Sequence, residues 1–148
     1  MWKTITTNDE IIQFMETVCY FHDSCLKEMS YLSGAYVNEN FSMFPLNNRR
    51  ILRVVLQRQC EKFSMIEMEF YGLKTLKLFP IDESCTCEIA NSTMIIKDKN
   101  IYWCDCNDLS RTHSDDFAGV LICASSLRWR SIENHMGEKA FYHSDGNR

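Results

Sequence analysis

IEMEFYGLKTLKLF, residues 66–79, decides the fold. Ile66, Met68, Phe70, Leu76 and Leu78 share one parity, and Glu67, Glu69, Thr75 and Lys77 share the other. Alternation of period two predicts a half-buried strand, apolar side chains inward and charged ones outward. Gly72 interrupts the run without changing its parity. A tight hairpin at Tyr71-Gly72 is one reading. A bend within one long strand is preferred, because glycine inside a strand marks a kink or bulge.

Upstream, ILRVVLQ (51–57) sets Leu52, Val54 and Leu56 on one face of a second strand. Residues 25–37 read as a long strand whose imperfect alternation predicts a bulge. Asn38 to Asn48 reads as a loop with Pro45, despite Phe41, Met43 and Phe44. Thr7-Asn8-Asp9-Glu10 fits a capping box, and Ile11, Phe14, Met15 and Val18 follow at helical spacing. A helix over about 8–19 should lay that stripe on the sheet. Downstream, Met94–Lys97 and Ile101–Cys104 flank turn residues and predict a hairpin. Phe117–Ala124 is apolar on both parities, the pattern of a strand covered on both faces. Leu127 and Trp129 continue it, with Arg128 and Arg130 pointing the other way.

Nothing suggests parallel crossovers. The expected fold is α+β: a bent antiparallel sheet of six or seven strands with one N-terminal helix packed on it. Residues 1–133 are expected to form a single domain, and the polar stretch 134–148 a frayed tail. A chain of 148 residues suits one domain that buries about two-thirds of its unfolded surface.

The net charge of −4 is spread evenly: residues 1–74 carry 8 basic and 9 acidic groups, and residues 75–148 carry 8 and 11. A duplex binder needs a basic face or stripe. Arg49, Arg50, Arg53, Arg58, Arg128 and Arg130 are the nearest approach, and they read as solvated. No nucleic-acid partner is expected. The longest apolar stretch, Phe117–Ala124, falls far short of a membrane span, so no membrane partner is expected either. The N-terminus lacks the apolar region of a signal peptide, which points to the cytoplasm and to reduced cysteines.

Three groups of residues could carry chemistry. Cys85 with Cys87, and Cys104 with Cys106, are Cys-x-Cys pairs. Residues two apart on an extended chain face the same way, so the four sulfurs could converge on zinc. The usual knuckle is Cys-x-x-Cys, however, and buried thiols commonly fill cores, so no metal or other cofactor is expected. His22-Asp23 could orient an imidazole for base work beside Ser24 or Cys25. Neighbours on a strand point to opposite faces, which argues against a dyad. The segment from Asp105 to Asp116 gathers Asp105, Asp108, Asp115 and Asp116 near Arg111 and His113. It matches no calcium loop and reads as a solvated acidic loop, or as a contact surface for a basic partner. There is no Gly-rich phosphate loop, His-Glu-x-x-His or Gly-x-Ser-x-Gly motif.

FHDSCLKEMSY (21–31), ILRVVLQ, residues 66–79 and LICASSLRW (121–129) together resemble a group of small bacterial domains. Their skeleton is a His-Asp opening a long strand, then a strand reading hydrophobic-Glu-x-x-Phe-x-Gly-hydrophobic. Those positions are His22, Asp23, Ile66, Glu67, Phe70, Gly72 and Leu73 in this chain. Some such domains look like immunity proteins of bacterial toxin systems, which bind and block a cognate toxin. The resemblance implies binding and carries over no catalytic residue. The cysteines lie outside the pattern.

The function expected is therefore that of a non-enzymatic, cytoplasmic protein that binds a protein partner, immunity-like, with the four aspartates at the contact. One rival is a curved sheet holding a small apolar ligand, lined by Tyr31, Tyr36, Phe70, Trp103 and Trp129. Core is the preferred reading of these rings, since burying large rings is how a small domain gains stability. The other rival is a metal protein built on the Cys-x-Cys pairs.

Overall fold

The computed structural model describes residues 1–138. Its strands are β1 (Lys3–Ile5), β2 (Ser24–Leu32), β3 (Tyr36–Val37), β4 (Met43–Phe44), β5 (Ile51–Arg58), β6 (Met65–Phe79), β7 (Thr93–Lys97), β8 (Asn100–Cys104) and β9 (Gly119–Ser131). One helix, α1 (Asn8–Thr17), lies between β1 and β2. Seven strands form an antiparallel sheet in the order β2-β5-β6-β9-β8-β7, with β1 paired to β9. The fold class read from the sequence is the one observed.

The capping box sets the start of α1. Thr7 Oγ1 accepts from the Glu10 amide at 3.2 Å, and Glu10 Oε2 accepts from the Thr7 amide at 3.0 Å. Ile11, Phe14 and Met15 form its buried stripe. Beyond the helix, Cys19, Tyr20 and Phe21 all hold positive φ, a turn that costs backbone energy. The turn drives Phe21 fully into the core. Its ring meets Phe14 at 5.8 Å and Trp103 at 6.0 Å, and Phe14 meets Trp129 at 4.6 Å. That aromatic chain ties the helix to β8 and β9.

β6 and β9 are the long central strands, paired from Ile66–Ser131 to Phe79–Gly119. Gly72 supplies the expected bend, with φ +62; a Cβ there would lie 2.8 Å from Ser125 Oγ. Phe70 and Leu127 face the core before the bend, and Leu73 and Ala124 face it afterwards, so parity switches at Gly72. A bulge follows between Leu73 and Thr75. β5 pairs with β6 only between Met65 and Phe70.

The bulge restores the original parity, so Leu76 and Leu78 stand opposite the core residues Ile122 and Val120, but their expected burial is overturned. They are 38% and 51% exposed, on a half-strand that β5 does not flank. The expected exposure of Glu67 and Glu69 is overturned too: they are 0% and 5% exposed. Both lie on the face opposite α1, covered by arginines from β5 and β9.

Three further differences are local. The strand expected over 25–37 stops at Leu32, where Gly34 takes φ +99; its bulge lies between Leu26 and Glu28. The expected 38–48 loop contains β4, which pairs with β3 through Tyr36–Phe44 and Val37–Met43. β1 had no alternation long enough to announce it. The β7–β8 hairpin is as expected, turning on Asp98 and Lys99, both at positive φ as a type I′ turn requires. The tail expected to fray over 134–148 lies outside the described residues from 139 onward. Its first part is held, because Gln57 Nε2 donates to the carbonyls of His135 (3.3 Å) and Gly137 (3.1 Å).

Candidate functional site

The acidic segment follows β8. Asp105 is half-buried, and its Oδ1 accepts from the Val120 amide at 2.8 Å. Gly119 makes room for it, since a Cβ there would run into that oxygen. Burial pushes the Asp105 carboxyl above the ordinary carboxylate range. Asp108 caps the short 3₁₀ turn Leu109–His113 by accepting from the Ser110 amide at 2.9 Å, and that bond holds its carboxyl low. The Ser114 hydroxyl donates to Asp116 and lowers that carboxyl as well. Asp115 is exposed. A cleft of about 530 Å³ opens here, lined by Glu88, Asn91, Asp105, Cys106, Arg111 and Asp116 among others. Asp105 and Asp116 thus share a wall with Arg111, whereas Asp108 and Asp115 do not line the cleft.

A second surface was not anticipated. The β3–β4 hairpin and its flanks expose Tyr36, Val37, Phe41, Met43, Phe44 and Leu46, with Phe41 at 88% and Met43 at 69%. The tip is ordered by Asn38, whose Oδ1 accepts from the amides of Asn40 (3.0 Å) and Ser42 (2.9 Å). The rings of Tyr36 and Phe44 stack at 4.8 Å. Tyr31 donates to Asn47 Oδ1 at 3.0 Å and ties β2 to the chain beyond β4. The signal lay in the composition: six large apolar residues stand between Tyr36 and Leu46, with Glu39 the one charge among them. Without alternation they read as loop.

The aromatics proposed to line a ligand cavity are dispersed. Phe70, Trp103 and Trp129 are buried in the core, whereas Tyr31 and Tyr36 are exposed with the hairpin.

The cysteine pairs also part company. Cys104 is buried and Cys106 half-buried, with their sulfurs 3.3 Å apart. Cys85 and Cys87 are exposed and line a different cleft, with Cys25. Among the described residues no three His, Cys, Asp or Glu side chains group closely enough to hold a metal ion.

His22 and Asp23 do meet, contrary to the strand argument. His22 Nε2 lies 3.5 Å from Asp23 Oδ2, because Asp23 holds φ +55 ahead of β2. His22 Nδ1 contacts the Ala90 carbonyl oxygen at 2.7 Å. Both side chains are exposed, and Ser24 beside them is buried.

Four of the six arginines expected to be solvated, Arg53, Arg58, Arg128 and Arg130, are engaged, whereas Arg49 is exposed as expected. Arg53 pairs with both buried glutamates, its Nε 2.8 Å from Glu67 Oε1 and its Nη2 3.2 Å from Glu69 Oε1. Arg130 Nε lies 2.6 Å from Glu67 Oε2, and Arg128 Nη2 lies 2.6 Å from Glu69 Oε2. Tyr71 donates to Glu69 at 2.6 Å, and Trp2 packs its ring under both Arg128 and Arg130. Arg58 is buried and donates to the carbonyls of Lys62 and Phe63.

Burial pushes the Glu67 carboxyl above the ordinary range, ahead of the opposing pull of Arg130 and Arg53. Burial also acts on Glu69, but hydrogen bonds from Tyr71 and Arg128 outweigh it and hold that carboxyl low. Tyr71 is pushed up to about 12 by burial and by its bond to Glu69.

Comparison with family models, with curated proteins and with solved structures gave no match. No helix among the described residues is long and apolar enough to cross a membrane.

Proposed function

We propose that the chain is a non-enzymatic binding protein that seats its β3–β4 hairpin in an apolar groove of a protein partner, in the manner of an immunity protein on its toxin. The observation that carries the reading is the exposure of Phe41, Met43 and Leu46 on an ordered hairpin. Large apolar side chains grouped on a surface mark interaction sites, because leaving them in water costs about 25 cal/mol per Å². An apolar centre gives affinity, and charged groups around it govern approach. Asp108, Asp115 and Asp116 supply that steering in this reading, and a basic partner suits them. Nucleic acid does not fit, since Arg53, Arg128 and Arg130 are already taken up by Glu67 and Glu69. The cytoplasm is the proposed location, where thiols such as these stay reduced.

The experiment is a parallel capture from the source cell with the parent chain and with Phe41→Ser/Met43→Ser. A photo-crosslinking residue placed at position 41 then identifies what touches the hairpin. The reading requires a protein that the parent retains, that crosslinks from position 41, and that the double variant loses. Equal retention by both chains would overturn it. So would a bound small molecule in the purified protein with no crosslinked partner.

A further inference from the structure

We propose that Cys104 and Cys106 form a thiol–disulfide exchange site, with Cys106 the sulfur that a small-molecule disulfide meets in the cleft beside the acidic segment. The two sulfurs lie 3.3 Å apart, and a disulfide needs about 2.0 Å. The backbone between them is fixed from both sides. The Asp105 amide donates to the Val120 carbonyl at 3.3 Å, and Asp105 Oδ1 accepts from the Val120 amide at 2.8 Å. The Cys106 carbonyl accepts from Thr93 Oγ1 at 2.8 Å. These bonds hold both sulfurs on one side of the chain. Cys85 and Cys87 have the same spacing but lie in an exposed segment outside the strands. No third ligand joins Cys104 and Cys106 among the described residues, so the pair is better suited to bonding with itself than to holding a metal.

Accessibility divides the roles. Cys106 lines the cleft, and Cys104 is fully buried behind it. In the first step the Cys106 thiolate attacks one sulfur of the disulfide R–S–S–R. A Cys106–S–S–R bond forms, the S–S bond of the oxidant breaks, and one thiolate leaves and takes up a proton. In the second step Cys104 gives up its proton and attacks the Cys106 sulfur. The internal disulfide forms and the second R–SH departs. Two thiols and one disulfide become one internal disulfide and two R–SH, so two electrons pass from protein to oxidant. Burial pushes the Cys104 thiol up to about 12, which makes the second step the slower one. Glutathione disulfide is an oxidant of the required class. A ring closed over one intervening residue is strained and therefore readily reduced again.

The test uses the full chain, reduced and then equilibrated in glutathione buffers of increasing oxidised fraction. Free thiols are alkylated and the protein is digested with trypsin. Fragment 100–111 contains Cys104 and Cys106 and no other cysteine, and fragment 78–97 contains only Cys85 and Cys87. Fragment 100–111 should pass through a glutathione adduct and then appear without alkyl groups, about two mass units lighter than the unalkylated dithiol. It should do so at an oxidised-to-reduced ratio about tenfold lower than fragment 78–97 needs. Cys104→Ser should trap the adduct on Cys106. Cys106→Ser, at a half-exposed position where folding is not at risk, should abolish modification of fragment 100–111. A lasting adduct on Cys106 in the parent chain would overturn the proposal. So would no change at excess oxidant, or equal closure of fragment 78–97.

Discussion

Glu67 and Arg130 face each other across β6 and β9, Oε2 2.6 Å from Nε, with the carboxylate wholly out of water. Arg53 holds the other oxygen, Oε1, from β5, so one glutamate clasps three strands. Removing one partner from such an arrangement leaves a buried charge short of a counter-ion, whereas removing both charges can be nearly neutral. Arg130→Leu should therefore lower stability by about 3 kcal/mol in urea titrations. Glu67→Leu/Arg130→Leu should recover part of that loss. A double variant less stable than the single one would show that the pair is not the source.

The two glutamates should respond to pH with opposite signs. Glu67 has its carboxyl raised by burial, so the folded state favours its neutral form. Its contribution is present below the ordinary carboxylate range and is lost as pH rises through the raised value. Glu69 has its carboxyl lowered by Tyr71 and Arg128, after burial is overcome. Its contribution is present above the ordinary range and is lost as pH falls through the lowered value. Between roughly pH 3 and pH 7, Glu67→Gln should gain on the parent chain as pH rises, and Glu69→Gln should fall further behind it. Parallel curves from urea melts would reject the assignment.

The end of β5 pairing at Phe70 makes a third prediction. Phe70→Ala removes a ring from the centre of the core and should cost roughly 3–5 kcal/mol. Leu78→Ala lies beyond the bend and should cost less than about 1 kcal/mol. Similar losses from both would mean that the second half of β6 is covered as fully as the first.

The contrast between those two residues shows what the sequence could reveal. Signals contained within one element were legible. Thr7 and Glu10 announced the start of α1, the Asp98-Lys99 turn announced the β7–β8 hairpin, and Gly72 announced the bend. Signals that depend on a distant partner were not. Nothing in residues 66–79 says that Arg53, Arg128 and Arg130 will cover Glu67 and Glu69, so alternation assigned both to water. Leu76 and Leu78 do stand opposite the core residues Ile122 and Val120, but nothing in the strand says that β5 stops short of them, so alternation assigned both to the interior. The two Cys-x-Cys pairs are equivalent as text. They differ because Thr93 and Val120 hold the chain around one pair and not the other. The apolar tip at Phe41 and Met43 was visible as composition, but only the structure shows it uncovered.

Gly119 and Asp105 are coupled by space. Gly119 holds φ +146, and a Cβ there would collide with Asp105 Oδ1. Gly119→Ala should cost about 1–3 kcal/mol through strain and displacement of the carboxylate from the Val120 amide. Asp105→Ala removes that acceptor and should itself destabilise. The double variant should cost less than the sum of the single ones, since the clash disappears with the carboxylate. Additive losses in a double-mutant cycle would show that the two sites do not communicate.

The last prediction separates approach from adhesion. Asp108, Asp115 and Asp116 are exposed, and hydrogen bonds hold Asp108 and Asp116 ionised at neutral pH. Exposed charges at a rim act on the rate of encounter, and salt screens them over about 10 Å at 0.1 M. Asp108→Asn, Asp115→Asn and Asp116→Asn combined should slow association with the captured partner and flatten its dependence on salt, with dissociation little changed. The fold should tolerate the change. The side-chain amide introduced by Asp108→Asn keeps a carbonyl oxygen to accept from the Ser110 amide, and Asp105, whose oxygen serves the Val120 amide, is left in place. Phe41→Ser/Met43→Ser should do the reverse, speeding dissociation while leaving the salt dependence of association intact. Stopped-flow association at several salt concentrations distinguishes the two. If the triple variant instead raises the dissociation rate alone, the aspartates lie inside the contact rather than around it, and the steering role assigned to them is wrong.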